Sequence, residues 1–288
     1  MITICKVGRL FISLGIIAFG IQQLVVLDFR PAILPGYPGW AHTIKFFPIA
    51  TGVAMIIAGI VISGILKFEN YIARRISVGL GFYFMVLIFL SHIPYLLFVY
   101  PHKLSHLGSW GDLLEELAFS GSAFVVAGSI ADYRGNKRSG YFYRLSEKFI
   151  PVGRIFFCIT LILFGCNHFA YDLSGMIPKW FGMPVFWSEF GGAALIAAGT
   201  AILFEIFLKP VSLLLGLMLF LWFMLLHVPS AILNPYVGQG NLIVSAFDAL
   251  LFCGTALLLS QSKTEIATKN FDRRYTRLAS EIYERKDR

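Results

Sequence analysis

Long apolar runs, separated by short polar segments, dominate this chain. Eight runs cover approximately residues 8–27, 46–66, 76–99, 112–131, 152–171, 188–208, 211–233 and 242–261. Each run approaches the roughly 20 residues that a helix needs to cross a hydrocarbon core of about 30 Å. The runs are too long for strands and lack an alternation of period two, which disfavours a barrel. The pattern predicts an all-α integral membrane protein with eight transmembrane helices.

The composition agrees with this prediction. Of the 288 residues, 57% are hydrophobic and only 14% are charged. A soluble protein of this size needs far more polar surface. We therefore expect the lipid bilayer to be the main surrounding of the chain.

Short motifs recur along the chain and divide it into two halves. The recurring pairs are His92-Ile93-Pro94 with His227-Val228-Pro229, Val7-Gly8-Arg9 with Val152-Gly153-Arg154, and Phe19-Gly20 with Phe164-Gly165. Matching positions lie about 145 residues apart at the first helix and about 135 apart at the His-x-Pro motif, a period that indicates duplication. We predict four-helix modules over residues 1–131 and 150–262, joined by a linker at 132–149. Because each half has an even number of helices, the repeats are parallel.

The distribution of Lys and Arg predicts the orientation. Of the 24 Lys and Arg residues, 20 fall on the side of the two termini. The remaining four are Arg30, Lys45, Lys103 and Lys179. This asymmetry predicts that both termini are cytoplasmic, and we expect the bacterial inner membrane. It also accounts for the net charge of +8 without nucleic acid as a partner.

The tail at 263–288 has its own pattern. Apolar residues recur every three to five positions, with basic residues over much of the remaining circumference. The pattern predicts an amphipathic helix on the anionic cytoplasmic leaflet. A helix that docks a partner protein is the alternative.

Polar residues within the apolar runs are the candidate chemistry, because ionisable groups in a membrane segment are costly. His227 and Asp248 both lie about 9 Å below the outer boundary, on neighbouring antiparallel helices. We predict a His227–Asp248 hydrogen bond in which Asp248 orients a proton-transferring imidazole. The other candidate ligand-binding residues are Asn167, His168 and Glu189 in the second half, and Gln23, His92 and Glu116 in the first.

Two prolines add to this prediction. Pro94 and Pro229 lack an N–H, so each leaves a kink and a free carbonyl near a histidine. A polar cavity open to the outer face would satisfy these groups. In the alternative interpretation, His92 and His227 have a structural role and bridge neighbouring helices.

Other chemistry finds little support in the sequence. The four cysteines include no Cys-x-x-Cys pair, and Cys158 and Cys166 are too far apart on one helix for a disulfide. Paired histidines could ligate a haem, but no haem-attachment motif occurs, and we predict no metal and no covalently bound cofactor. Phosphate-binding loops and nucleophile elbows are absent from the sequence as well.

Several segments resemble the DoxX family, including the DoxD-type small subunit of thiosulfate:quinone oxidoreductase. The resemblance rests on Gly153-Arg154, Phe164-Gly165-Cys166-Asn167-His168-Phe169, Gly191-Gly192-Ala193-Ala194 with Ala198-Gly199, and His227-Val228-Pro229. It covers residues 152–261, while residues 7–131 form a weaker copy with Gln22-Gln23 in place of Asn167-His168. The resemblance implies a four-helix membrane bundle associated with quinone-linked or sulfur-linked redox chemistry.

The sequence therefore leads to one main hypothesis and two alternatives. The main hypothesis is a redox-associated membrane protein that binds a quinone-like or other small amphipathic ligand in an outer-leaflet polar cavity. Its role is catalytic or that of an accessory subunit of a quinone-linked oxidoreductase, with a membrane or cytoplasmic redox partner. The alternatives are a small-solute transporter and a scaffold that anchors a partner enzyme. Small residues near 191–199 would also permit a homo-oligomer.

Overall fold

The computed structural model describes residues 2–66, 68–130, 145–238 and 240–262. These ranges contain eight long helices and no strand. The helices are α1 Ile2–Val26, α2 Phe46–Ser63, α3 Asn70–Leu87, α4 Gly111–Ser129, α5 Phe149–Ala170, α6 Pro184–Leu203, α7 Leu208–Trp222 and α8 Asn241–Leu259. Short helical segments at Gly39–Thr43, Pro101–Lys103, Leu107–Trp110, Ser174–Met176 and Lys179–Phe181 lie in the connections.

Seven of these helices, with their extensions, are long and apolar enough to cross a membrane. The exception is α4, whose first turns carry Asp112, Glu115 and Glu116. The prediction of an all-α membrane protein is thus confirmed. The eighth membrane span stays a prediction, as does the cytoplasmic placement of the termini. The predicted tail at 263–288 and most of the predicted linker lie outside the described residues.

In both His-x-Pro motifs the histidine is the last residue of a π-helical turn. Helix α3 continues as the π-helix Ile88–His92, and α7 continues as the π-helix Phe223–His227, followed by the short helix Val228–Leu233. Each π-helix ends at the motif histidine, where the next N–H donates to the carbonyl five residues earlier. This wider turn rearranges the backbone hydrogen bonds just ahead of Pro94 and Pro229, which have no N–H of their own.

Helices α4 and α8 occupy the centre of the molecule. In α8, 72% of the apolar window is buried, against 22% to 39% in the other six candidate spans. Helix α1 packs most extensively against α2 and α8, while α5 packs most extensively against α4 and α6. Helices α3 and α7 complete the two sides by packing on α4 and α8. The two halves are therefore interleaved, since the first helix of each half lies against the last helix of the other.

Close glycine contacts join the interleaved helices. A Cβ on Gly8 of α1 would lie 2.8 Å from the carbonyl oxygen of Gly254 in α8, and one on Gly254 would lie 2.5 Å from that of Gly8. Gly153 of α5 and Gly121 of α4 make the same reciprocal approach, at 2.4 Å and 2.6 Å. Only hydrogen fits at these positions, so the backbones touch.

Side-chain hydrogen bonds between helices also recur in the two halves. The Ser120 hydroxyl donates to the carbonyl of Gly81 at 2.8 Å, and the Cys253 thiol donates to the carbonyl of Gly216 at 3.2 Å. In both halves the donor lies on the fourth helix and the acceptor on the third. The same kinds of contact thus occur in the same order along both halves.

The two ends of the bundle differ in their polar contacts. At one end, arginines bind groups near the C-termini of helices: Arg9 donates to the Ile62 carbonyl at 2.8 Å, and Arg154 pairs with Glu205. Cations there interact favourably with the helix dipole. The opposite end carries the connections at 27–45, 100–110, 171–183 and 234–238, and is called the Arg30 end below.

Candidate functional site at the Arg30 end

The segment that follows α1 turns back into the bundle and brings Arg30 to its centre. Arg30 is only 5% exposed. Its guanidinium donates to both carboxylate oxygens of Asp248 on α8, with a distance of 2.8 Å from Nη1 to Oδ1. Nη2 also donates to Glu115 of α4 at 3.1 Å, and Nε to Asn241 at 3.2 Å. One side chain therefore joins the α1–α2 connection to both central helices.

The electrostatics keep this guanidinium charged. Burial by itself lowers the pKa of Arg30, but the nearby carboxylates of Asp248 and Glu115 raise it more, so the pKa stands above its ordinary value. Removing one partner of such a buried pair leaves an uncompensated charge, which is strongly destabilising. The cluster of Arg30, Asp248, Glu115 and Asn241 is called the Arg30 cluster.

The predicted His227–Asp248 hydrogen bond is wrong. Both Asp248 oxygens bind Arg30, and His227 lies only within electrostatic range of that carboxylate. The guanidinium forms two parallel bonds, which one imidazole nitrogen cannot match. Sequence reasoning missed Arg30 because it was counted as an ordinary loop cation. The sequence did contain one signal: of the four cations predicted on the side opposite the termini, Arg30 is the only arginine.

The three predicted first-half residues are buried in the bundle. Glu116 is 0% exposed, and neither of its oxygens has a hydrogen-bond partner among the described residues. Gln23 instead accepts a hydrogen bond from Thr51 at 2.7 Å. His92 is 2% exposed, and its Nε2 has no partner within the same part of the chain.

The predicted second-half residues face different directions. His168 lies 3.0 Å from the Ser188 hydroxyl through Nδ1, and its ring centre is 6.3 Å from that of Trp222. Asn167 instead lines a cavity beside the 100–110 segment. Glu189 is exposed on α6, although its neighbour Ser188 is buried. His168, Asn167 and Glu189 therefore have different surroundings, and a common site with His227 stays a prediction.

A long apolar groove runs between α6 and α7, a feature that the sequence analysis did not predict. It has a volume of about 650 Å³. It follows α6 from Trp187 to Ala201, a distance of about 21 Å at the helical rise. At the Arg30 end the groove is lined by the aromatic residues Phe181, Trp187, Phe190 and Trp222. Along α6 its wall consists of the alanines Ala194, Ala197, Ala198 and Ala201. The groove thus has the length and lining that suit an extended hydrocarbon chain.

Metal chemistry has no visible site in the described ranges. No group of three or more His, Cys, Asp or Glu residues there could hold a metal ion. The four cysteines are free thiols. Comparison of the chain with family models, curated proteins and solved structures finds no match, and the resemblance to the DoxX family stays a prediction.

Proposed function

We propose that this protein binds a quinone-like amphipathic ligand, with the apolar tail in the α6–α7 groove and the ring at its aromatic end. The observation that carries this proposal is the groove itself, which is about 650 Å³ in volume and apolar along its length. Lipid and groove are both apolar, so moving a hydrocarbon tail from one to the other gives little binding free energy. Specific binding therefore also requires that the groove orient a head group. The aromatic end provides for that.

The aromatic end supplies both ring contacts and hydrogen-bond donors. Trp187 and Trp222 line the groove, and neither indole N–H donates to another residue in the described ranges. Amphipathic indole rings favour such positions, where one side is apolar and the other polar. His168 lies behind Trp222 and is oriented by Ser188. A quinone carbonyl at this end would find donors beside a flat apolar surface.

A comparison of the two halves supports a specific occupant in the second. Gly59 and Gly199 match, since each packs against a backbone carbonyl of the first helix in its half. Counting from these glycines, Ala197 and Ala201 correspond to the larger Ile57 and Val61. The second half thus has space where the first half has side chains.

This difference provides a direct test. We expect the double variant Ala197→Ile, Ala201→Val to fill the groove with residues that the first half already carries. Quinone affinity, measured by quenching of tryptophan fluorescence with a long-tailed ubiquinone, should fall at least about tenfold, a change of 1.4 kcal/mol. The matched control is Ala193→Val. Ala193 is exposed on the same helix, and the corresponding first-half residue, Val53, is already a valine.

Mass spectrometry of the protein purified in mild detergent completes the test. Retained quinone that disappears in the double variant but not in the control would support the proposal. Wild-type protein that retains only phospholipid, together with equal quenching in both variants, would contradict it.

We also propose that the fold is a duplicated module with parallel repeats, and that both termini are cytoplasmic in a bacterial inner membrane. Ser122 and Thr255 follow Ser120 and Cys253 on the two central helices, and their hydroxyls lie 2.7 Å apart. A contact between matching positions is expected on a pseudo-twofold axis between α4 and α8. The resemblance to the DoxX family adds a redox-associated, accessory or catalytic role to this proposal.

One observation favours a small-solute transporter as the second candidate. Glu116 is fully buried without a hydrogen-bond partner in the described chain, and buried carboxyls in membrane proteins often carry protons. Solute flux into proteoliposomes that rises with a proton gradient, and is lost in Glu116→Gln, would favour transport over simple ligand binding.

A further inference from the structure

A second cavity lies at the Arg30 end, where the 100–110 segment meets the C-terminal end of α5. Its volume is about 740 Å³. Its lining includes His102, Lys103, His106, Gly108, Asn167 and Tyr171. In contrast to the groove, most of its lining residues carry a polar group. The cavity joins the last connection of the first half to the first helix of the second.

Contacts within the cavity walls hold its shape. The His106 ring stacks on Tyr171, with ring centres 4.5 Å apart and planes at 22°. The N–H of Gly108 donates to the Tyr171 hydroxyl at 3.3 Å. Within the segment, the Trp110 indole donates to the Leu104 carbonyl at 3.0 Å. The segment is therefore fixed both to itself and to α5 without any ligand.

The lining is rich in donors and has no carboxylate. Lys103 contributes an ammonium group, which lies 5.0 Å from the Tyr100 ring centre and has no ion pair in the described ranges. Imidazole, hydroxyl and amide groups provide further donors. Among the amide donors is the side-chain N–H₂ group of Asn167. The nearby Asp172 carboxylate accepts from the Ser174 N–H at 2.9 Å and does not line the cavity.

We propose that this cavity binds a phosphate group, carried either by a lipid head group or by a soluble phosphate. A phosphate offers more acceptor oxygens than a carboxylate does, which suits a cavity whose lining carries several donors. The Lys103 ammonium supplies the opposite charge. The site is independent of the proposed quinone groove, because Asn167 faces this cavity while His168 faces Ser188 and α6.

The test compares full-length protein with a charge-matched control. In the first arm, isothermal titration with inorganic phosphate is done in neutral detergent. The double variant His102→Gln, Lys103→Gln should bind at least about tenfold more weakly than wild type. These two residues are chosen because they leave the His106–Tyr171 stacking intact. Lys45→Gln removes an exposed cation from the same end, outside the cavity, and should bind like wild type.

The second arm distinguishes the two sources of phosphate. Native mass spectrometry of protein released from nanodiscs of phosphatidylcholine with phosphatidylglycerol measures retained anionic lipid. If wild-type protein retains anionic lipid, the double variant does not, and neither binds inorganic phosphate, the ligand is a lipid head group. If wild-type protein binds inorganic phosphate in the first arm, the ligand is a soluble phosphate. Absence of binding in both arms, or an equal loss in Lys45→Gln, would overturn the proposal. A melting temperature of the double variant close to wild type ensures that a loss of binding is local.

Discussion

Arg30 shows how one residue can determine the local structure of a membrane protein. Its guanidinium meets two carboxylates and an amide from both central helices, and its central carbon lies 5.4 Å from the centre of the Phe19 ring. Charge-assisted bonds of this kind are strong where water is excluded. The Arg30 cluster therefore fixes the end of the bundle that also carries both candidate binding sites.

We expect Arg30→Gln to destabilise the protein by about 3–5 kcal/mol, the usual effect of removing one partner from a buried ion pair. Thermal unfolding in detergent, followed by circular dichroism, measures this. The double variant Arg30→Gln, Asp248→Asn should recover part of the loss, since the unpaired charge disappears. A melting temperature equal to that of Lys45→Gln would contradict the assigned role.

His227 should behave differently from Asp248. Because Asp248 is held by Arg30 and not by His227, His227→Ala should cost less than about 2 kcal/mol, the lower part of the range for single substitutions. Asp248→Ala should cost clearly more in the same unfolding assay. An equal loss in both variants would instead favour a direct His227–Asp248 interaction.

At the same scale, the sequence identified buried polar residues but not their partners. Glu116, His92 and Gln23 are buried, in keeping with their positions in apolar helices. The partner of Asp248 could not be predicted, because it comes from a connection whose path does not follow from helical periodicity. The groove was missed for a related reason: its walls are ordinary apolar residues, and only the packing of α6 against α7 leaves space between them.

At the scale of helices, glycine contacts and π-helical turns set the geometry. The predicted spans lie close to the observed helices; for example, 46–66 corresponds to Phe46–Ser63. The recurring Gly8 and Gly153, found as a sequence motif, are the points where helices of the two halves touch. The π-helices had no sequence signal beyond the two prolines, since a wider turn depends on packing as well as on a missing N–H.

We predict that Gly254→Val separates α8 from α1 and destabilises the protein by about 1–3 kcal/mol, as expected for overpacking. The added side chain would start 2.5 Å from the Gly8 carbonyl, which is backbone and cannot move alone. Gly79→Val on α3 is the control, because a Cβ there meets nothing within 4 Å. Equal unfolding temperatures for the two variants would contradict the close contact.

At the scale of the whole molecule, interleaving makes each half depend on the other. Helix α1 has α8 as a main neighbour, and α5 has α4. Sequence analysis predicted two modules along the chain but could not predict this exchange, because periodicity reports which residues repeat and not which helices touch.

Expression of the two halves separately tests this dependence. Residues 1–138 or 139–288 alone should aggregate or be degraded, because α1 or α5 would lose a main partner. Coexpression of both fragments should restore a complex that copurifies through a tag on either one. A single fragment that is monodisperse and as heat-stable as the full chain would contradict the interleaved fold.

The Arg30 cluster has a consequence for how such a protein can evolve. Glu115 and Asp248 stand at matching places before Ser122 and Thr255 on the central helices, yet one arginine serves both, and the corresponding connection at 171–183 contains none. In a symmetric pair of separate chains, every arginine would appear twice and two cations would compete for the same acids. If the proposed duplication is correct, joining the two copies in one chain removes that constraint: the first copy supplies the arginine that holds the central helices, and the second can diverge to form the proposed binding groove.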